Sequence, residues 1–181
     1  MTKKRIGIFG GTFDPPHVGH LILAAEARDQ LELDCTIWVL TPDPPHKRGK
    51  EISSIAHRLA MVELAIAGDD GFSLSYVDIN RPGPHYTVDT VKILRQQYPD
   101  QAIFYLMGGD SLANLAEWYH ANELLAVLDG IGVMRRPEDD IDLSELIVQL
   151  PLLPQKLNFV TAPLLEISAH QIRRSVRQKR A

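Results

Sequence analysis

Two histidines three positions apart, His17 and His20, are the residues of this 181-residue chain whose types and spacing first suggest chemistry. At that spacing both imidazoles can share one face of the first turn of a helix. The unpaired N–H groups and the partial positive charge at a helix start attract anions such as phosphate. The pair therefore indicates a phosphate site in which imidazoles supply the side-chain donors.

The histidines follow a turn whose backbone can approach a ligand closely. An apolar run at 6–9 predicts a buried strand before it, and a second run at 21–27 predicts a helix after it. Glycines give the turn its freedom and prolines stiffen the approach to the helix, at Gly10, Gly11, Pro15 and Pro16.

Other interpretations of this turn fit it less well. Its glycine spacing matches neither the dinucleotide fingerprint nor the lysine-containing phosphate loop. A zinc site would lack the intervening glutamate of the metalloprotease pattern and an obvious third ligand nearby. A helix cap accounts for either histidine alone, but it explains the glycines, the prolines and both rings together poorly.

Composition limits the classes of protein to which the chain can belong. With 181 residues and 45% hydrophobic content, residues 1–181 can bury a core as a single domain, with a short helical segment at about 165–181. The net charge of −4 argues against a chain-wide nucleic-acid binder. The single Cys35 lies in an apolar run, which indicates a core residue, excludes a disulfide scaffold and favours a reducing cytoplasm. No run approaches the ~20 apolar residues of a membrane span, so neither membrane nor nucleic acid is an expected partner, and a homo-oligomer is left open.

Strand-like and helix-like patterns alternate along the chain, which predicts an α/β fold with a doubly wound, mainly parallel sheet covered by helices on both faces. Ligands bind such sheets beyond the carboxyl ends of the strands. The loop at 41–50 follows a predicted strand and carries Lys47, which either contacts phosphate or is solvated surface. Asp110 follows another strand, where a carboxylate can bind a ribose hydroxyl or cap the next helix.

Two later helix starts also carry polar groups that could face this crevice. Thr87 or a neighbour would cap an amphipathic helix whose free N–H groups can hold a small carboxylate, with the ring of Tyr86 beside them; a capped helix with an incidental tyrosine is the alternative. Ser168 would cap a helix over 169–179, with Ile172 and Val176 turned inward and Arg173 aimed at the crevice.

Taken in order, these segments resemble the motifs of the nucleotidyltransferases with an HxGH-type signature, and most closely the bacterial nicotinate mononucleotide adenylyltransferases. The similarity covers 10–20, Pro42-x-x-Pro45-His46-Lys47, Arg58-x-x-Met61, 83–90, 108–110, Arg136-Pro137 and Ile167-Ser168-x-x-x-Ile172-Arg173. The 83–90 segment is similar to the family's Gly-Pro-x-Tyr-Thr-x-Asp-Thr motif, which related pantetheine-phosphate enzymes lack. Gly109 replaces the family's alanine, and Ala169 and His170 replace its serine and threonine.

The resemblance implies transfer of AMP from ATP to nicotinate mononucleotide, with Mg²⁺ held mainly by the ATP phosphates. It assigns catalysis to His17, His20, Lys47 and Arg173. It assigns ATP binding to Gly10, Gly11, Thr12, Phe13, Gly108, Asp110, Ile167, Ser168 and Arg173. It assigns mononucleotide binding to Tyr86, Thr87, Asp89, Trp118 and Arg136, the last in preference to Arg135. Alternatives are an enzyme acting on nicotinamide mononucleotide or pantetheine phosphate, and a non-catalytic nucleotide-binding module.

Overall fold

A parallel β-sheet forms the centre of the structure, a computed structural model that describes residues 3–44, 51–135, 142–163, 165 and 167–178. Within these residues the sheet has six strands in the order β3-β2-β1-β4-β5-β6, and every neighbouring pair is parallel. The strands are β1 (Arg5–Gly11), β2 (Cys35–Leu40), β3 (Phe72–Ser75), β4 (Ala102–Gly108), β5 (Gly130–Arg135) and β6 (Leu157–Thr161). The expected parallel α/β architecture is confirmed.

Helices cover both faces of this sheet. They are α1 (Val18–Gln30), α2 (Ile55–Ile66), α3 (Thr87–Gln97), α4 (Gly109–Ala113), α5 (Ala121–Val127), α6 (Ser144–Gln149), α7 (Leu153–Lys156) and α8 (Ala169–Arg177). Because side chains alternate across a strand, Ile8 packs with the cluster that includes α3 and α5, whereas Phe9 packs with α1 and α2 on the other face. The two apolar layers hold the sheet rigidly between them.

The site is positioned by the point at which the strand order reverses. From β1 the chain builds outward through β2 and β3, and it then returns to place β4 on the other side of β1. The loops after β1 and β4 consequently diverge to opposite faces and leave a crevice at their carboxyl ends. The turn after β1 carries the two histidines, and the chain after β4 carries Asp110.

Several local expectations are confirmed by the backbone. Ser168 caps α8 as expected and accepts a hydrogen bond from Gln171 N, and Ser54 caps α2 in the same way by accepting from His57 N. The residue at the N-cap of α3 is Tyr86, so Thr87 is the first helical residue. Cys35 is half-buried against the core, and burial together with the nearby Asp34 carboxylate raises the pKa of its thiol.

The C-terminal third differs from the sequence-based prediction. The segment containing Pro154 forms α7, because proline is tolerated in the first turn of a helix. It leads into β6, a strand that the pattern did not predict. Val176 was expected to turn inward and is instead 67% exposed, since α8 is anchored by polar contacts such as that of Arg173 with the Asp14 backbone.

Among the described residues, no helix combines the length and the apolar character needed to cross a bilayer.

Candidate active site

A cavity of about 810 Å³ opens at the carboxyl ends of β1 and β4, where the strand order reverses. It is bounded by the turn before α1, the start of α3, the chain after β4 and the segment before α8. The predicted site residues that line it are Gly10, Gly11, Thr12, His17, His20, Tyr86, Thr87, Gly108, Asp110, Trp118 and Ile167. Four separate segments of the sequence thus meet around one space.

Phe13, Asp89 and Ser168 are predicted site residues that do not line this cavity. Phe13 is buried, with its ring 5.5 Å from that of Phe9, so its side chain belongs to the core. Asp89 is half-buried in the first turn of α3, and Ser168 is occupied as the cap of α8. Lys47 and Arg136 lie outside the described residues.

The rings of the two histidines lie close together at the start of α1, tilted by 30°. Their ring centroids are 3.7 Å apart, and the backbone N–H of His17 donates to Nδ1 of His20 at 3.1 Å. An accepting Nδ1 places the hydrogen of a neutral imidazole on Nε2, so His20 presents a donor there. Burial lowers the pKa of His17, which favours its neutral form as well.

The turn between β1 and α1 is held by a buried carboxylate, Asp14, which is only 6% exposed. Its Oδ2 accepts from the backbone N–H of Ser53 at 3.2 Å and lies 4.0 Å from the guanidinium of Arg173. Burial acts to raise the pKa of Asp14, but the Ser53 bonds and the positive charges of Arg173 and Arg58 outweigh it, and the pKa falls below its ordinary value. Arg173 also donates to the Asp14 carbonyl. The guanidinium therefore lies against the turn that carries the histidines.

Arg58 joins the same turn to the loop after β2. Its side chain is 1% exposed, and it donates to four backbone carbonyls at 2.8–2.9 Å, those of Thr12, Thr41, Pro42 and Ser53. Burial lowers the pKa of this guanidinium, and the Asp14 charge opposes that shift. This burial excludes the interpretation, open from the sequence alone, that Arg58 is exposed to solvent.

The opposite end of the cavity is lined with aromatic rings. Tyr86 stacks on Tyr119 with centroids 4.1 Å apart and planes 20° apart. Trp118 packs edge-on against Tyr105 at 5.9 Å and also lines the cavity. Sequence reasoning missed Tyr119 and His85, although each directly adjoins a residue that it singled out, Trp118 or Tyr86.

This arrangement suits two anionic ligands at once. The start of α1, with its two imidazoles and the adjacent Arg173, can bind and polarise phosphate groups. The start of α3 and the flat rings beside it can hold a small aromatic acid. Within the part of the chain that is described, no group of three or more His, Cys, Asp and Glu side chains could hold a metal ion.

Comparison with known proteins gives a consistent picture. The model of the cytidylyltransferase-like family matches residues 8–175. A relative from Thermomicrobium roseum, named probable nicotinate-nucleotide adenylyltransferase, is 45% identical over 98% of this chain and 82% of its own length. The Bacillus subtilis nicotinate-nucleotide adenylyltransferase is 40% identical over 98% of this chain and 88% of its own. The solved Plasmodium falciparum nicotinic acid mononucleotide adenylyltransferase, complexed with NaAD, shares the fold with a TM-score of 0.75 at 19% identity, over 94% of this chain and 83% of that one.

Proposed function

This chain belongs to the cytidylyltransferase-like family and to its nicotinate-nucleotide adenylyltransferases, and from that premise we propose that it joins nicotinate mononucleotide to the AMP part of ATP. The products are deamido-NAD and pyrophosphate, so the enzyme serves NAD biosynthesis. The observation that carries this proposal is the convergence of the α1 histidines, the α3 start and Trp118 on one cavity. The cavity has a phosphate-binding end, which fits the triphosphate of ATP, and an aromatic end, which fits the pyridine ring of nicotinate mononucleotide.

The reaction is a direct displacement at the α-phosphorus of ATP. An oxygen of the mononucleotide phosphate attacks that phosphorus, a new P–O–P bond forms, and the bond to pyrophosphate breaks. This phosphate is already ionised at pH 7, so no general base and no protein nucleophile is required. The protein aligns the two anions and stabilises the charge that passes to pyrophosphate.

At the phosphate end, His20 donates from Nε2 and His17 lies beside it. We assign Lys47 and Arg173 to the β- and γ-phosphates, and the position of Arg173 against the Asp14 turn supports its part. Three segments hold the rest of ATP: the turn after β1, the chain after β4 and the segment before α8. In the chain after β4, Asp110 binds the ribose. The residues assigned in these segments are Gly10, Gly11, Thr12, Phe13, Gly108, Asp110, Ile167 and Ser168.

At the aromatic end, the first N–H groups of α3 receive the pyridine carboxylate. The helix begins at Thr87 and has Asp89 in its first turn, and the ring of Trp118 offers a face for stacking. Arg136 is assigned to the mononucleotide phosphate. This end would distinguish the acid from the amide, because a carboxylate is held by N–H donors more strongly than a neutral amide is.

Mg²⁺ is proposed as part of the Mg·ATP substrate. Its ligands in this proposal are triphosphate oxygens and water. We also propose that residues 1–181 are one nucleotidyltransferase domain acting in the cytoplasm without nucleic-acid or membrane partners. The single cysteine and the net charge of −4 support these assignments, and light scattering would decide between a monomer and a homo-oligomer.

Pyrophosphate release with ATP and each mononucleotide in turn tests the proposal. We expect rapid release with nicotinate mononucleotide and much slower release with nicotinamide mononucleotide or pantetheine phosphate. Preference for either of the latter would assign the chain to a different substrate. Absence of release with all three would make it a nucleotide-binding module.

A further inference from the structure

A second, much smaller cavity of about 20 Å³ lies directly behind the wall of the large one. Six polar side chains line it, those of Thr41, Asp78, His85, Thr87, Thr90 and Tyr105. Four of them, Thr41, His85, Thr87 and Tyr105, also line the large cavity. A molecule in the small cavity would therefore contact the back of the wall that faces the substrates.

His85, one of the residues that line both cavities, carries an unpaired polar atom. The residue is 9% exposed, and its Nε2 lies 3.3 Å from the carbonyl oxygen of Arg81. Its Nδ1 is fully buried and has no hydrogen-bond partner among the described residues. A buried nitrogen without a partner costs free energy whether it acts as donor or as acceptor. The ring is thus held at one nitrogen and unsatisfied at the other.

Four other side chains around the small cavity are hydrogen-bonded: those of Asp78, Thr90, Thr87 and Tyr105. The buried Asp78 accepts from Arg81 Nε at 2.9 Å and from the Thr90 hydroxyl at 2.8 Å. The Tyr105 hydroxyl is hydrogen-bonded to Thr87, and burial with the nearby Asp78 raises the pKa of Tyr105 to about 12, against the opposing effect of that bond. This hydroxyl stays protonated at neutral pH and can both donate and accept.

Gly10 brings the backbone of β1 close to the same hydroxyl. A Cβ at this position would come within 2.6 Å of the Tyr105 oxygen. The small cavity is therefore bounded by the end of β1 on one side and the start of α3 on the other. An occupant of about 20 Å³ is limited to a single water, which needs about 10–15 Å³ and two to four polar partners.

We propose that one ordered water molecule occupies this cavity and hydrogen-bonds to Nδ1 of His85 and to the hydroxyl of Tyr105. The water makes His85 a positioning residue: it fixes the chain that enters α3, and with it Tyr86 and Thr87. This inference rests on the proposed function, because those two residues are assigned to nicotinate mononucleotide. The inference assigns a role to His85, which occupies the first variable position of the Gly-Pro-x-Tyr-Thr-x-Asp-Thr motif. The motif itself does not specify the residue at that position.

A matched pair of substitutions isolates the contact at Nδ1. The side-chain amide of asparagine can place a polar atom near the position of Nδ1, whereas that of glutamine reaches toward Nε2. His85→Gln should raise KM for nicotinate mononucleotide about tenfold, with kcat and KM for ATP within about twofold of the wild type. His85→Asn should restore KM to within about threefold of the wild type. A purely structural role would change both variants alike, and equal KM values for the two would overturn the proposal.

A crystal structure of the full chain at high resolution provides an independent readout. It should contain a water peak within hydrogen-bond distance of His85 Nδ1 and the Tyr105 oxygen, and a dry cavity would refute the inference even if the substitutions proved too unstable to assay. This result does not depend on the substrate. Lack of turnover by the wild type would contradict the proposed function, whereas turnover with a dry cavity would contradict only the water site.

Discussion

The two ends of the active-site cavity are built from different interactions. At the phosphate end, the turn is fixed by buried charge: Asp14 is 6% exposed, and Arg58, 1% exposed, binds four carbonyls. At the aromatic end, Tyr86 stacks on a Tyr119 ring that is 49% exposed. A buried charge that loses its partners costs several kcal/mol, whereas a ring pair contributes about 0.5–1.5 kcal/mol. The phosphate end is therefore preorganised, and at the aromatic end the exposed ring of Tyr119 can move to fit a ligand.

The largest effect should follow from removing a donor at the preorganised end. His20→Ala should lower kcat by about 10²–10³-fold, the usual cost of losing a donor that stabilises transition-state charge. His57→Ala, at an exposed histidine on α2, is the matched control and should leave kcat unchanged. Stopped assays of pyrophosphate would measure both. Normal turnover by His20→Ala would remove this histidine from the mechanism.

Loss of the Arg58 bonds should show that the phosphate end depends on buried charge. Arg58→Met leaves four carbonyls without their donor and should lower the free energy of unfolding by about 3 kcal/mol. Arg58→Lys should recover only part of this loss, because an ammonium has three donors and no planar fork. Denaturant unfolding would compare both with Arg174→Met, at an exposed position of α8. Equal free energies of unfolding for Arg58→Met and the control would mean that the four Arg58 hydrogen bonds do not stabilise the fold.

At the aromatic end the effects should be smaller and confined to one substrate. Trp118→Ala should raise KM for nicotinate mononucleotide by about threefold to tenfold, since stacking contributes about 0.5–1.5 kcal/mol. Trp118→Phe keeps a flat ring and should raise this KM by a smaller factor. KM for ATP should stay constant in both variants. An equal rise in the two KM values would show that the ends of the cavity are not independent.

The smallest effect concerns acid stability. The pKa of Asp14 lies below its ordinary value of 3.8, so its ionised form stabilises the fold above that value, and this contribution is lost as pH falls through the lower folded-state pKa. The free energy of unfolding of the wild type should therefore decrease more steeply below about pH 4 than that of Asp14→Asn. Parallel pH profiles for the two proteins would contradict a stabilising role of the ionised carboxylate.

Sequence patterns predicted those parts of the fold that local chemistry determines. The apolar runs located β1 and β4, and Ser168 identified the cap of α8. The short β6 was not predicted, because neighbouring prolines resemble a connector and its pairing with β5 depends on distant chain. A local sequence pattern can indicate a strand or a helix, but the neighbour with which that element pairs is determined by packing in the folded chain.

The site residues also divide into those that a local pattern predicts and those that depend on distant parts of the chain. The glycine and histidine spacing identified the turn after β1, because a phosphate-binding helix start has a local signature. The burial of Arg58 and the unpaired Nδ1 of His85 depend on segments far apart in the chain. Neither could be read from the residue and its neighbours.

The central claim is that one cavity holds both substrates together and joins them without a covalent enzyme intermediate. Initial velocities measured while both ATP and nicotinate mononucleotide are varied test it most directly. The account predicts double-reciprocal lines that intersect, the pattern of a ternary complex. Parallel lines, which indicate an adenylyl-enzyme formed before the mononucleotide binds, would contradict it.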